Sequence, residues 1–432
     1  MKKIVSFILS GIVIAASMFY TVSSAAEIQA QYYIMNHDKD AWGILSLYAS
    51  DNDVSEYGFS QSGDSTYSNA MRLMAQKAVG SDVSAIAASI RGAQMENGQF
   101  AMYPGSGEKG DLKAHIWSII SLYSAWDNGY DKSAALRWLK TNQNSDGGFA
   151  VNKGEKSDLK TTAQAILAFK SLGMESEESV QRALGFLSLG LKSEKDCETL
   201  SWALMAKSNL GHKDKGLLDR IRTYRLSDGS FSDGKISGKP DYKATSIALA
   251  AVTDYEKEYS VFKKLHNADM FSDVKRSDSH YPAVMEIVNR GIASGYPDYT
   301  FRPQNKVTRA EFSKFLIYAM EFEGQISKKT TPFKDVKEHW SSPVVSLAYS
   351  KGLVSGIEKD IFAPDQNVTG AQVMTMLVRA KGLEGIAARF SGEKWYDGYV
   401  NAAQRRGLLY EGFDPDEYAT RAQCAQAISR LH

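Results

Sequence analysis

Two patterns of apolar and polar residues divide the chain, with the change near residue 265. From about Glu27 to Phe262, helix-length segments of two kinds alternate. One kind is apolar nearly all round and rich in alanine, as in DLKTTAQAILAF, where Ala163, Ala165, Ile166, Ala168 and Phe169 leave little polar face. Such a helix is predicted to be buried on most sides and to form an inner layer. The other kind carries charge on one side, as in LRWLKTNQNSDGGF, where Arg137 and Lys140 stand beside Leu136, Trp138 and Leu139. Those helices belong outside.

Each charged helix runs into a glycine turn and a phenylalanine, at Phe100, Phe149, Phe231 and, more loosely, Phe59. Each apolar helix opens on an acid, Asp64, Asp111, Asp158, Asp196 or Asp241, and the acids recur roughly every 45 residues. Five helical hairpins fit, the fourth without its Gly-Phe turn. A sixth is assigned to Glu256 to Leu265 together with the residues near Gln29. An Asp ahead of an apolar helix accepts a first-turn N–H, so capping is the favoured reading of these acids. Contact with a ligand at a common mouth is the alternative for Asp111, Asp158, Asp196 and Asp241. His115, Trp117, Trp202 and Tyr242 lie near the same mouth, as cavity lining or as core.

Beyond residue 265 the period is about 60 residues. FSDV at Phe271 returns as FKDV at Phe333, and VNRGIASGYPDYTFRPQNKVTRAEF is echoed by AYSKGLVSGIEKDIFAPDQNVTGAQV. A third, shorter copy runs from KWYDGYVNAAQRRGLL to YATRAQCAQAI. Each unit reads as a helix ending near Gly291, Gly352 or Gly407, a turn-rich loop, and a second helix opened by Thr308, Thr369 or Thr420. Thr308 and Glu311 make a capping box. No unit can bury its apolar face alone, so the three are expected to pack together. Arg309 and Arg421 put a cation in a first turn, where the helix dipole disfavours it. A planar guanidinium there, beside free backbone N–H groups of the first turn, makes a cradle that suits a carboxylate. The middle unit has Gly370 at that place.

Composition narrows the class. The chain has 432 residues, 43% of them hydrophobic and 23% charged, enough for two or three globular domains with real cores. Residues 1–26 start with Lys2 and Lys3, continue through a short apolar run and end in small residues, the form of a secretory leader cut after Ala25 or Ala26. No membrane span is expected once it is removed. The net charge of +1, lowered by two when those lysines leave, does not suggest a nucleic-acid partner. Cys197 and Cys424 are far apart and read as buried small hydrophobes.

The segment from about Asn267 resembles S-layer homology repeats, through F-x-D-V, His339-Trp340, the G-Y-P-D-x-T-F-R-P loop and the TRAE helix start. The units would be 267–326, 327–386 and a short 387–432. The resemblance implies a pseudo-threefold helical domain that binds bacterial cell-wall polysaccharide noncovalently, often through pyruvate-ketal sugars, on a secreted protein of the wall or S-layer surface. Arg309 and Arg421 would then contact the polymer, with Glu311, Asp273, Asp335 and Trp340 as further candidates. Asp273 and Asp335 read equally as structural caps, and Trp340 equally as core.

Residues 27–265 resemble the α/α toroid of the prenyltransferase and terpenoid-cyclase repeat family, Gln143 to Phe149 (QNSDGGF) being the best copy of its turn. The fold class is therefore all-α throughout. That family's zinc enzymes use Asp, Cys and His; Cys197 follows Asp196, but Ala244 stands where the His is expected. The D-x-D-D acid motif of the cyclases and a Cys-Gly-Glu-Gln thioester are also missing, so neither a metal nor a cofactor is expected. The preferred reading is an anchored protein whose toroid holds an unknown ligand or surface protein. The alternative is a wall-displayed enzyme acting on a glycan or isoprenoid, with Asp111 and Asp158 as acid and base.

Overall fold

The computed structural model describes residues 25–59, 63–105, 111–234, 238–327, 331–390 and 392–431. Residues 1–24, which hold nearly all of the proposed leader, lie outside that set. Among the described residues the regular structure is helical apart from isolated bridges, and no helix is long and apolar enough to cross a membrane. The chain divides into two compact units, one ending at Ala268 and one beginning at Asp269.

The first unit contains α1 (Ala25–Met35), α2 (Ala41–Ala49), α3 (Thr66–Ala78), α4 (Ser84–Gly92), α5 (Leu112–Ser124), α6 (Lys132–Thr141), α7 (Leu159–Ser171), α8 (Glu178–Gly190), α9 (Cys197–Asn209), α10 (Lys215–Arg222), α11 (Tyr242–Lys257) and α12 (Val261–Asn267). Helices α2, α3, α5, α7, α9 and α11 each pack on the next, and α11 returns to α2, so the inner ring closes with six members. Their alanines allow the close approach: Ala163, Ala165, Ala203 and Ala250 have no exposed surface. Helices α1, α4, α6, α8 and α10 lie outside. Asp40, Asp111, Asp158, Asp196 and Asp241 cap five inner helices by accepting first-turn N–H groups. The remaining one, α3, is capped by Ser65 and not by Asp64.

The sixth inner helix is α2, opened by Asp40, and its outer partner is α1. The turn glycine Gly229 packs on α1 so closely that a Cβ there would lie 2.3 Å from Gln29 Cβ. Helix α12, assigned from sequence to a sixth hairpin, instead lies across the C-terminal ends of the inner helices. Lys264 Nζ donates to Tyr48 O, and the His266 ring bonds Tyr123 O at 2.6 Å. From α12, Phe262 reaches Trp42 and Trp117, with ring centroids 6.3 and 6.2 Å away. Trp42, Trp117 and Trp202 meet edge to face at 4.9–5.6 Å, the geometry aromatic quadrupoles prefer. All four rings are buried, so the ring is filled along its axis.

The second unit contains α13 (Tyr281–Asn289), α14 (Arg309–Ala319), α15 (Ser342–Ser350), α16 (Gly370–Ala380), α17 (Glu384–Ala387), α18 (Asp397–Arg405) and α19 (Arg421–Ser429). The residues just ahead of α14, α16 and α19 bridge one another cyclically: Lys306 with Thr420, Thr308 with Asn367, and Thr369 with Tyr418. At the centre Val307 N donates to Ala419 O, Ala419 N to Val368 O, and Val368 N to Val307 O, at 3.3, 2.9 and 2.8 Å. These three bonds surround a pseudo-threefold axis, and the third unit takes its full share despite its shorter sequence.

Candidate functional site

Capping boxes open α14, α16 and α19: Thr308 with Glu311, Thr369 with Gln372, and Thr420 with Gln423. The two remaining free N–H groups of each first turn go to the next unit's loop. Arg309 N and Ala310 N donate to Gln366 O and Pro364 O, Gly370 N and Ala371 N to Glu417 O and Pro415 O, and Arg421 N and Ala422 N to Asn305 O and Pro303 O. The sequence reading of free N–H groups beside the arginines, ready to cradle a carboxylate, is therefore corrected. Neighbouring units already satisfy them.

The arginine side chains follow the same route. Arg309 Nε donates to Phe362 O at 2.8 Å and its Nη2 to Ser355 O at 2.9 Å. Arg421 repeats this with Phe301 O at 2.9 Å and Ser294 O at 2.7 Å. Each guanidinium also lies over the ring of the same phenylalanine, 4.5 Å from Phe362 and 4.6 Å from Phe301. The residues are only 3% and 7% exposed. Burial lowers the Arg309 pKa to about 10, with Asp335 opposing and Arg379 adding to the shift. Nε and Nη2 are committed, which leaves Nη1 of each guanidinium without a hydrogen-bond partner among the described residues.

Asp273 and Asp335 hold the loops that receive the arginines. Asp273 accepts from Phe301 N and Arg302 N, both at 2.8 Å, and Asp335 accepts from Phe362 N and Ala363 N. Arg302 and Ala363 have φ of 57° and 58°, a left-handed conformation that these two bonds support. Trp340 is 56% exposed, and Trp395, at the matching place ahead of Gly407, is 64% exposed. Sequence comparison of the units could have paired them, since each precedes its helix-ending glycine by the same interval.

The surroundings of Gly370 are different. A Cβ on Gly370 would lie 2.1 Å from Asp414 O and 2.8 Å from the Tyr410 hydroxyl. Tyr410 occupies the place of Ser294 and Ser355 in the other units and is buried. A tyrosine from the loop thus fills the space that an arginine from the helix fills elsewhere, and only glycine fits opposite it.

In the toroid, His115 is buried and accepts from Phe100 N at Nδ1, 3.2 Å away, so its Nε2–H donates to Ala135 O at 3.1 Å. Burial drives its pKa down to about 3. Thr162 and Thr245 take the same N–H from Phe149 and Phe231 at 2.9 Å. Trp117 and Trp202 belong to the axial cluster. Tyr242 packs its hydroxyl against α2, where a Cβ on Gly43 would come within 2.0 Å. Asp111, Asp158, Asp196 and Asp241 all cap their helices. Among the described residues no group of His, Cys, Asp and Glu has the arrangement of a metal site, and both cysteines are buried and free.

Comparison with known proteins agrees with this architecture. The chain matches the S-layer homology domain over residues 271–313 and 332–374 and the prenyltransferase alpha-alpha toroid domain over residues 7–196. It therefore carries S-layer homology repeats and a prenyltransferase-type toroid, and it is a secreted protein of the cell-wall surface, anchored to the wall. Among its relatives are an endoglucanase of Bacillus sp. (strain KSM-635), 32% identical over 38% of this chain and 19% of that protein, and the cellulosome-anchoring protein of Acetivibrio thermocellus, 29% identical over 36% of this chain and 38% of that protein. The S-layer protein of Bacillus licheniformis is 27% identical over 37% of this chain and 19% of its own length. The chain thus spans well under half of each of these relatives. Candida albicans protein geranylgeranyltransferase-I, in a complex with GGPP, aligns with 58% of this chain and 88% of its own at 15% identity and a TM-score of 0.35.

Proposed function

We propose that the three-unit domain holds the protein on the wall by gripping an acidic polysaccharide, and that the toroid is the displayed part, meeting a ligand or another surface protein. Two clefts do the gripping, at Arg309 and Arg421. The observation that carries this reading is the pair of buried guanidiniums, each fixed by two backbone carbonyls with Nη1 left over. A fixed cation pays little entropy on meeting a carboxylate such as a pyruvate ketal. Trp340 and Trp395 offer exposed rings on which a sugar can stack. Glu311, Asp273 and Asp335 shape the clefts rather than touch the polymer, and engagement of both clefts adds avidity.

The test is co-sedimentation of the full chain with isolated walls. Arg309→Lys and Arg421→Lys together keep the charge but lose the fork. The bound fraction at limiting wall should fall about tenfold or more. Thermal melting of the variant keeps a folding defect separate, and a folded double variant that sediments like the wild type would overturn the assignment.

A further inference from the structure

Glycine turns of the toroid rest on the outer helix of the next hairpin, and the seam that closes the ring differs from two others. A Cβ on Gly98 would meet Ala134 of α6, one on Gly147 would meet Arg182 of α8, and one on Gly229 would meet Gln29 of α1, so these three helix positions correspond. At the first two seams the turn is tied to the helix. Gln94 Nε2 donates to Asp131 O and Gln143 Nε2 to Ser179 O, both at 2.8 Å. Arg182 Nη2 also lies over its turn, donating to Asn144 O and Ser145 O. At the closing seam Arg225 stands where those glutamines stand, and its Nε and Nη2 have no hydrogen-bond partner among the described residues. Four residues beyond the contact point, Trp138 lies 4.4 Å from the His115 ring and Phe186 packs against Gly148. Tyr33, at the matching place on α1, lies against His37 instead, with ring centroids 4.3 Å apart.

The closing seam thereby keeps a cleft of about 410 Å³, lined by Gln29, Tyr32, Tyr33, Asn36, His37 and Asp228, a size within the range of small-molecule sites. None of these residues belongs to an inner helix. Tyr32 offers an exposed ring. The polar atoms are only partly committed: Asn36 Nδ2 donates to Tyr32 O at 2.9 Å, His37 Nδ1 to Tyr33 O at 2.7 Å, and Asp228 Oδ1 accepts from Ser230 N and Oγ. What remains is three acceptors, Asn36 Oδ1, Asp228 Oδ2 and Nε2 of the neutral His37 ring, beside two phenol groups. A fitting ligand is rich in O–H donors and has one apolar face. None of the six lining residues is a lysine or arginine, and the Asp228 carboxylate repels acids, so the acidic polymer assigned to the anchor does not suit this cleft.

We propose that the cleft binds one pyranose ring of a neutral glycan, with its C–H face on Tyr32 and its hydroxyls on Asn36, His37 and Asp228. A sugar ring joins an apolar face to a rim of hydroxyls, which is what a tyrosine beside three acceptors requires. An alkylammonium would satisfy Asp228 and leave Asn36 and His37 unpaired. The proposal rests on the reading of the toroid as a displayed binding domain, gives that domain a ligand class, and is independent of the wall clefts.

The experiment titrates cellotetraose and chitotetraose, added separately, into the full chain and follows the Hε1 resonance of His37, assigned with His37→Gln. That proton lies in the cleft, so sugar stacked on Trp340 or Trp395 leaves it unmoved. At least one tetrasaccharide should move it saturably, and the open-chain polyol glucitol at equal concentration should not. Tyr32→Ala, a change at an exposed ring, should weaken the affinity about tenfold, and Tyr32→Phe, which keeps the platform, should restore most of it. Arg309→Lys with Arg421→Lys should leave the titration unchanged. A resonance that moves with neither sugar, that moves alike with glucitol, or that moves alike in a folded Tyr32→Ala variant overturns the site. Such a result removes the cleft alone; the displayed-domain reading falls only if the toroid of the wall-bound chain also retains no other component of the cell surface.

Discussion

His115 illustrates how one hairpin position solves the same problem with different chemistry. The residue four past the cap accepts the N–H of the turn phenylalanine, and threonine does this at Thr162 and Thr245. Histidine does it at His115 only while neutral. Its pKa in the folded state is about 3, well below the ordinary value near 6.5, so the unfolded chain takes up the proton first. The stability this neutral ring contributes is whole above about pH 6.5 and is lost as pH falls toward 3, by about 1.4 kcal/mol per pH unit. His115→Thr should flatten that part of the denaturant-unfolding curve against pH. An unchanged slope would show that other groups set the acid limit. The caps Asp111, Asp158, Asp196 and Asp241 are legible in sequence because capping is settled within four residues. Asp64 misleads for the same reason, since Ser65 beside it is an equally good cap and takes the role.

Among the elements, the three capped helices of the anchor were legible as repeats, but the destination of their first-turn N–H groups was not. Those bonds run to Pro303, Pro364 and Pro415 and to residues two further on, in a different unit each time. Local pattern says nothing of partners that only the threefold packing brings together. The same packing explains Gly370, which in sequence is a missing arginine and in the fold is the partner of Tyr410. Gly370→Ala should destabilise the anchor by about 1–3 kcal/mol through collision with Asp414 O, seen as a lower melting temperature. Gly370→Arg should likewise destabilise it and add no wall affinity. A tolerated alanine, or tighter wall binding by the arginine variant, would contradict the filled cleft.

At the scale of the whole molecule, the alternation of helix types carried the toroid, while ring closure and the filled axis needed coordinates. Trp42 and Phe262 belong to the first inner helix and to the last helix of the unit, and nothing in their own neighbourhoods announces that they meet. Phe262→Ala removes the ring through which α12 reaches the axis and should cost the toroid about 3–5 kcal/mol, measured by denaturant unfolding of the full chain. A loss under 1 kcal/mol would mean that α12 is an adjunct rather than the floor of the ring. The central claim, however, concerns attachment. The most direct test sediments the full chain with walls before and after chemical removal of their polysaccharide. Retention on intact walls and release from stripped ones is the predicted result; equal retention on both would contradict polysaccharide anchoring altogether.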